Sequence, residues 1–251
     1  MNEIEVEQVV DPDLADPVFV EGLPGVGHVG KLVAEHLIEE TDSTLLSRIY
    51  SEHLPPQVGI DESGVATLAH ADVYAVPAEG RDLVVLTGDH QPGDTTGQYR
   101  LAAAFLDEAE RLGAETIYSL GGVPTGELIE EYSVLGAVAD EALVEDLEAA
   151  GVEFRSEEPT GGIVGTSGLL LGLGRRRNLD VACLMGETSG YLVDPKSARA
   201  VLEVLQERLD FEIPFEALDE RADEMEEVVN RLQDMEEAQS PSGGEDLRYI
   251  G

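Results

Sequence analysis

The chain has 251 residues, of which 42% are hydrophobic, and its 53 acidic and 15 basic side chains give a formal net charge of −38. This length and apolar content suit one large domain, or one domain with an appendage. The charge excludes nucleic acid as an expected partner, because phosphate binding requires clustered lysine and arginine side chains.

In the first half of the chain, short apolar runs alternate with amphipathic segments. The pattern predicts strands at residues 18–20, 45–50 and 83–86 and a helix at 26–38. The runs at 65–68 and 73–76 lie too close for a helix between them and predict a hairpin or a meander. The run at 83–86 is continuously apolar, which is typical of a strand covered on both faces.

The second half continues the alternation. It predicts helices at 97–112, 143–151, 161–174 and 195–209, and strands at 116–120, 134–138 and 181–185. Alternating strands and helices predict an α/β fold with a mostly parallel, Rossmann-like sheet that helices cover on both faces. Residues 1–214 form this expected domain.

After residue 214 the chain becomes strongly acidic, and its apolar positions recur at intervals of three and four. The spacing predicts an amphipathic helix at 215–238, with a seam formed by Phe215, Leu218, Ala222, Met225, Val229 and Leu232. This helix either packs on its own domain or associates with a partner or a second copy. Residues 239–251, rich in serine, glycine and proline at their start, predict a flexible tail.

The acidity runs along the whole chain, and lysine occurs only at Lys31 and Lys196. Such self-repulsion destabilises a compact state in dilute buffer, whereas molar salt shortens the Debye length to about 3 Å. We therefore predict a cytoplasmic protein of an extreme halophile, with an ordinary acidic protein as the alternative. The sequence shows no signal peptide and no membrane span, and the single cysteine, Cys183, lies in an apolar run.

A glycine-rich loop follows the first predicted strand and matches two phosphate-binding patterns. Gly25, Gly27 and Gly30 give G-x-G-x-x-G, and Gly25, Gly30 and Lys31 give G-x-x-x-x-G-K. Leu32 stands where a P-loop needs Ser or Thr for Mg²⁺, and three extra residues separate the strand from Gly25. We therefore expect a structural loop without cofactor or metal, built on Gly22, Pro24, Gly25, Gly27 and Gly30.

A possible ligand crevice lies where predicted strands end. Asp89 and His90 follow the strand at 83–86, Glu187 follows the strand at 181–185, and Ser167 lies between glycines. Because α/β folds place their sites at the carboxyl ends of strands, these four residues could line a small-molecule site. They could equally be ordinary loop residues, and the five histidines show no metal-ligand spacing.

Several segments together resemble the PAC2 family, the archaeal and bacterial relatives of proteasome assembly chaperones. They are residues 22–30, 84–92, 119–122, 161–165 and 184–188, and the resemblance covers about residues 17 to 209. It implies an α/β fold related to nucleoside phosphorylases, homo-oligomerisation, and binding to the α subunits of the 20S proteasome without catalytic residues. A nucleoside- or nucleotide-type enzyme that uses the crevice at Asp89 and His90 is the alternative.

The resemblance also concerns the end of the tail. Family chaperones often end in a hydrophobic residue, a tyrosine and any residue, a motif that docks between proteasome α subunits. Here Tyr249 is third from the end, and Arg248 occupies the hydrophobic position. Either Leu247, Tyr249 and Ile250 bind a partner pocket, or the tail binds nothing.

Overall fold

The structure, a computed structural model, describes residues 3–127, 129, 131–156 and 161–239, with the backbone alone at 228–230 and 232–239. The strands are β1 Ile4–Gln8, β2 Val18–Gly22, β3 Thr44–Ser51, β4 Val58–Ile60, β5 Ala66–Leu68, β6 His70–Ala78, β7 Arg81–Gly88, β8 Thr116–Pro124, β9 Val134–Val138, β10 Val152–Glu153 and β11 Asp180–Thr188. The helices are α1 Val29–Glu39, α2 Thr95–Arg111, α3 Val144–Ala149, α4 Gly165–Arg177, α5 Pro195–Leu209 and α6 Glu216–Gln239.

Nine strands form one sheet in the order β1-β3-β6-β7-β2-β8-β11-β9-β10, and β4 pairs with β5 in a separate two-stranded sheet. The prediction of a mostly parallel sheet is wrong, because the large sheet is mixed. Its centre, β7-β2-β8-β11, is parallel, whereas β1, β3, β6 and β7 pair antiparallel, as do β9 and β11. The four central strands and β3 therefore bring their carboxyl ends to one edge, whereas β1, β6, β9 and β10 run in the opposite direction.

Helices cover both faces of the sheet, as predicted. In β7, Leu83 and Val85 join one core with α1, α5 and α6, while Val84 and Leu86 join a second core with α2 and α4. Successive residues of a strand point to opposite faces, so these two cores lie on opposite sides of the sheet. This double burial explains why the central strands read as continuous apolar runs.

The prediction that residues 65–68 and 73–76 form a hairpin or meander is wrong, because β5 pairs with β4, and β6 pairs with β3 and β7. Strand β6 begins at His70, immediately after β5, and its hairpin partner is β7. A two-residue turn with Gly80 at φ 81° joins them, because hairpin turns favour glycine at positive φ. The sequence also missed β1, β4 and β10, which are short or exposed.

The start of α6 packs on its own domain. Leu218 is fully buried and Ala222 nearly so, and the guanidinium of Arg199 lies 4.8 Å from the centre of the Phe215 ring. An ion pair between Lys196 and Glu226 (3.0 Å) adds a second contact between α5 and α6. These contacts occupy the first part of the predicted seam within the same chain.

Candidate functional site

The glycine-rich loop leaves the carboxyl end of β2 and enters α1 through a short 3-10 turn, Val26–His28. The turn starts at Gly25 in extended backbone, and Gly27 then adopts a left-handed φ of 63°. His28 is also left-handed, at φ 53°. This tight entry places α1 directly against the sheet.

Two glycines of the loop allow backbones to touch. A Cβ added at Gly22 would lie 2.3 Å from the carbonyl oxygen of Gly30, and one at Gly30 would lie 2.3 Å from that of Leu120. Any side chain there must therefore displace backbone. At Gly25, by contrast, an added Cβ meets nothing within 4 Å. Pro24 uses its carbonyl to accept a hydrogen bond from the Gln91 amide (2.7 Å).

Lys31, the lysine of the phosphate-loop pattern, directs its ammonium group to partners within the chain. The Nζ atom lies 2.7 Å from Asp89 Oδ1, 2.9 Å from Glu35 Oε1 and 3.4 Å from the carbonyl oxygen of Gly88. Burial alone lowers the pKa of Lys31, but hydrogen bonds with Asp89 and Glu35 outweigh it and raise the pKa above its ordinary value. Three partners occupy all three ammonium donors, which leaves none for a phosphate.

A buried carboxylate lies behind the loop, on the face covered by α2 and α4. Glu21 is completely buried, and its oxygens accept hydrogen bonds from Ser119 Oγ (2.6 Å), Ser167 Oγ (3.2 Å) and the Leu23 amide (3.2 Å). Burial raises the pKa of Glu21 despite these bonds. The carboxyl group thus joins β2, β8, the loop and the first turn of α4.

Sequence reasoning missed Glu21, although a signal was present. It is the acidic residue that ends the apolar run Val18, Phe19, Val20, and charged side chains are seldom fully buried without partners. Nearby, burial raises the pKa of the Cys183 thiol to about 12. That thiol is therefore neutral and unreactive at physiological pH, which leaves no cysteine nucleophile in this region.

The structure does not bring the four predicted crevice residues together. Asp89 pairs with Lys31, Ser167 donates to Glu21, and Glu187 pairs with Arg155 at 2.7 Å. Asp89 follows β7 and Glu187 lies on β11, three strands away across the sheet, or about 14 Å at ordinary strand spacing. No acid, base and nucleophile converge among these side chains.

Asp89 and His90 do line a cleft, of ≈ 530 Å³, between α1, β6 and the β4–β5 hairpin. Its volume falls within the range of small-molecule pockets. Several of its charged groups are paired: Lys31 with Asp89, and His70 Nε2 with Asp72 Oδ1 at 3.3 Å. The hydrogen bond with Asp72 raises the pKa of His70, and Gln57 Nε2 lies 2.5 Å from His90 Nε2.

Within the part of the chain that the structure describes, no group of three or more His, Cys, Asp or Glu side chains has the arrangement of a metal site. Among the same residues, no helix combines the length and apolar character that a membrane span requires. The predicted tail residues Leu247, Tyr249 and Ile250 lie outside the described residues.

Comparisons show which family and which known proteins the chain is similar to. The profile of the PAC2 family matches residues 19–233. Pyrococcus furiosus PbaB, an archaeal proteasome activator of known crystal structure, shares 40% sequence identity with this chain. The match covers 93% of this chain and 100% of that chain, and the two structures superpose with a TM-score of 0.87. Pyrococcus furiosus PbaA, an archaeal homolog of proteasome-assembly chaperone, is 29% identical over 95% of both chains, with a TM-score of 0.77. An uncharacterized protein of Methanocaldococcus jannaschii is 38% identical over 244 residues, which are 95% of this chain and 93% of that protein.

Proposed function

Because the chain belongs to the PAC2 family, we propose that it is a proteasome assembly chaperone or adaptor that binds 20S proteasome α subunits without catalysis. The observation that carries the proposal is the similarity to PbaB, at 40% identity and a TM-score of 0.87 over essentially the whole of both chains.

The geometry of the loop and crevice supports a binding role. Lys31 is held by Asp89 and Glu35, and Ser167 and Glu187 are each engaged by a side chain of the chain itself. Nucleophilic catalysis needs a nucleophile beside an oriented base, and Asp89, Ser167 and Glu187 do not form such a set with one another. The carboxyl group beside Ser167 is that of Glu21, which is completely buried.

The proposal includes a homo-oligomer in the cytoplasm that binds the proteasome through its C-terminal residues. A linker of about ten residues reaches about 17 Å on average, enough to carry Leu247, Tyr249 and Ile250 away from the domain. An aromatic and an aliphatic side chain on such a tether suit a pocket between α subunits.

Capture from cell extract tests this function. The full-length chain, immobilised in molar KCl, is expected to retain proteasome α subunits. A variant that lacks residues 247–251 is expected to retain less, while its oligomer mass stays unchanged. Unchanged capture by the shortened chain counts against the tail, and absence of α subunits from the full-length sample contradicts the proposed function.

The cleft beside Asp89 and His90 is the one observation that favours a small-molecule enzyme instead. A thermal-shift series with nucleosides, inorganic phosphate and ATP separates the two functions, because a ligand bound to the native state raises stability by RT ln(1 + [L]/Kd). We expect no shift with any of them. A saturable shift that is lost in His90→Ala favours the enzyme.

A further inference from the structure

A small apolar pocket lies between the first half of α6 and the loop that joins β11 to α5. Its volume is ≈ 280 Å³. This volume lies just below the range of small-molecule pockets, about 300–1,000 Å³, and suits one or two side chains of a peptide. Most of its lining is apolar and includes Tyr132, Leu192, Val193, Pro195, Ala222 and Met225.

Hydrogen bonds and packing hold the walls of this pocket in place. The amide of Asp194 donates to the Gly27 carbonyl oxygen at 2.9 Å, and the Asp194 carboxylate caps α5 by accepting from the Ser197 amide at 3.0 Å. On the α6 side, Leu218 is fully buried and fixes the first turns of this helix on the domain. A pocket that is formed before it is filled costs little conformational entropy to occupy.

Leu192 and Met225 line the pocket without joining the core. Each side chain is partly buried, and neither belongs to a core cluster of the described residues. A docked apolar side chain would remove the remaining apolar surface from water. The rim carries both signs of charge, because the side chains of Lys196 and Glu226 are 46% and 58% exposed.

The residues after α6 supply side chains that match this pocket. Residues 246–250 read Asp-Leu-Arg-Tyr-Ile, so three apolar side chains alternate with an acid and a base. The carboxylate of Asp246 suits the ammonium group of Lys196, and the guanidinium of Arg248 suits the carboxylate of Glu226. Apolar content and charge thus select this segment as the occupant.

The length of the tail allows it to return to the pocket. Gln239, the last residue of α6, lies 14 residues beyond Met225, which is about 21 Å at a rise of 1.5 Å per residue. Residues 240–248 span at most about 30 Å and on average about 17 Å, so Tyr249 reaches the pocket without strain. A tether of this length holds its end at an effective concentration in the millimolar range.

We propose that Tyr249 and Ile250 dock in this pocket of their own chain, with the tail folded back along α6. Docking withholds these side chains from the proteasome, a consequence that rests on the proposed function. The pocket and the α subunits then compete for one segment, and a proteasome that binds the tail first has to displace it from α6.

A labelled peptide of residues 243–251 tests the docking without a proteasome. Its fluorescence anisotropy, titrated in molar KCl with the variant that lacks residues 247–251, is expected to show saturable binding with a Kd of about 1 mM or below. A weaker peptide would leave the tethered tail mostly undocked at its effective concentration. Met225→Ser in the shortened chain should weaken binding about tenfold, because it removes an apolar wall of the pocket.

The matched control for Met225→Ser is Ile60→Ser, at an apolar position that is 72% exposed and does not line this pocket. It should leave peptide binding unchanged, and circular dichroism establishes that both variants are folded. A peptide that carries Tyr249→Ala should bind about tenfold more weakly. Absence of saturable binding, or binding that Met225→Ser leaves unchanged, overturns the proposal.

A disulfide distinguishes docking within one chain from docking between chains. Glu226→Cys and Arg248→Cys place thiols on the rim and in the tail, and native Cys183 is fully buried. Oxidation is expected to close a ring within one chain, which keeps the mass of a single chain in non-reducing denaturing electrophoresis. A covalent dimer, or no cross-link at all, overturns the proposal.

Capture of α subunits separates this inference from the proposed function. The full-length Met225→Ser chain is expected to capture about twofold more α subunits than the wild type, because more of its tails are undocked. Equal capture by the two chains overturns the competition. Absence of α subunits from both samples contradicts the proposed function, while peptide binding and the disulfide within one chain still support the docking.

Discussion

Replacing Gly30 by alanine tests whether the glycine-rich loop exists for packing. An added Cβ lies 2.3 Å from the Leu120 carbonyl oxygen, whereas an ordinary contact begins at 3.4 Å, so α1 and β8 must separate by about 1 Å. Overpacking of this kind costs about 3 kcal/mol when backbone must move. Alanine recovers about 1 kcal/mol in helix propensity, because Gly30 lies in α1. We expect a net loss of about 2 kcal/mol, or a melting temperature lower by about 4–8 °C.

Gly25→Ala is the matched control for this measurement. Both phosphate-binding patterns require Gly25 and Gly30 equally, but Gly25 has open space around it and an extended φ of −148°. Its replacement should change stability by less than about 0.5 kcal/mol. Thermal unfolding of both variants in molar KCl makes the comparison. Equal stability of the two variants refutes the packing argument for Gly30.

Three further predictions concern salt, pH and the last helix. Stability should rise steeply with KCl, because screening shortens the Debye length from about 10 Å at 0.1 M to about 3 Å at 1 M around a net charge of −38; a melting temperature at least as high in dilute buffer contradicts this. Burial raises the pKa of Glu21, so the folded protein keeps that proton to higher pH than the unfolded chain, and the resulting stability is lost as pH rises through the folded pKa. Glu21→Gln, which mimics the protonated acid, should therefore gain on the wild type in urea unfolding as the pH rises above 4.5, the ordinary pKa of a glutamate; a pH-independent difference argues against a raised pKa. Leu218→Ala should cost about 2–5 kcal/mol in the same assay, because Leu218, on α6, is fully buried in the core of the domain, whereas a loss below about 1 kcal/mol indicates that α6 does not pack on the domain.

The central strands and most helices were predictable from the sequence for a local reason. Burial on both faces makes β2, β7, β8 and β11 read as apolar runs, and α1, α2 and α5 show one apolar stripe each. Helix α4 lacks such a stripe, and it runs from Gly165 to Arg177 rather than over the predicted 161–174. Its last three residues are arginines, and cations favour a helix C-terminus.

The parts of the fold and of the site that the sequence did not predict depend on contacts between residues that are distant in sequence. Glu21 receives hydrogen bonds from Ser119, 98 residues away, and from Ser167, 146 residues away, and no local pattern encodes either bond. The strand order also depends on distant contacts, because β6 lies between β3 and β7 in the sheet. Antiparallel pairing of β6 with both of these strands makes this half of the sheet antiparallel and the sheet as a whole mixed.

Sedimentation velocity of the purified chain with purified 20S proteasomes in molar KCl tests the proposed binding to the proteasome. The chain is expected to co-sediment with the proteasome, and a variant lacking residues 247–251 is expected to do so more weakly at the same oligomer mass. A full-length chain that sediments independently of both the assembled 20S particle and free α subunits contradicts it.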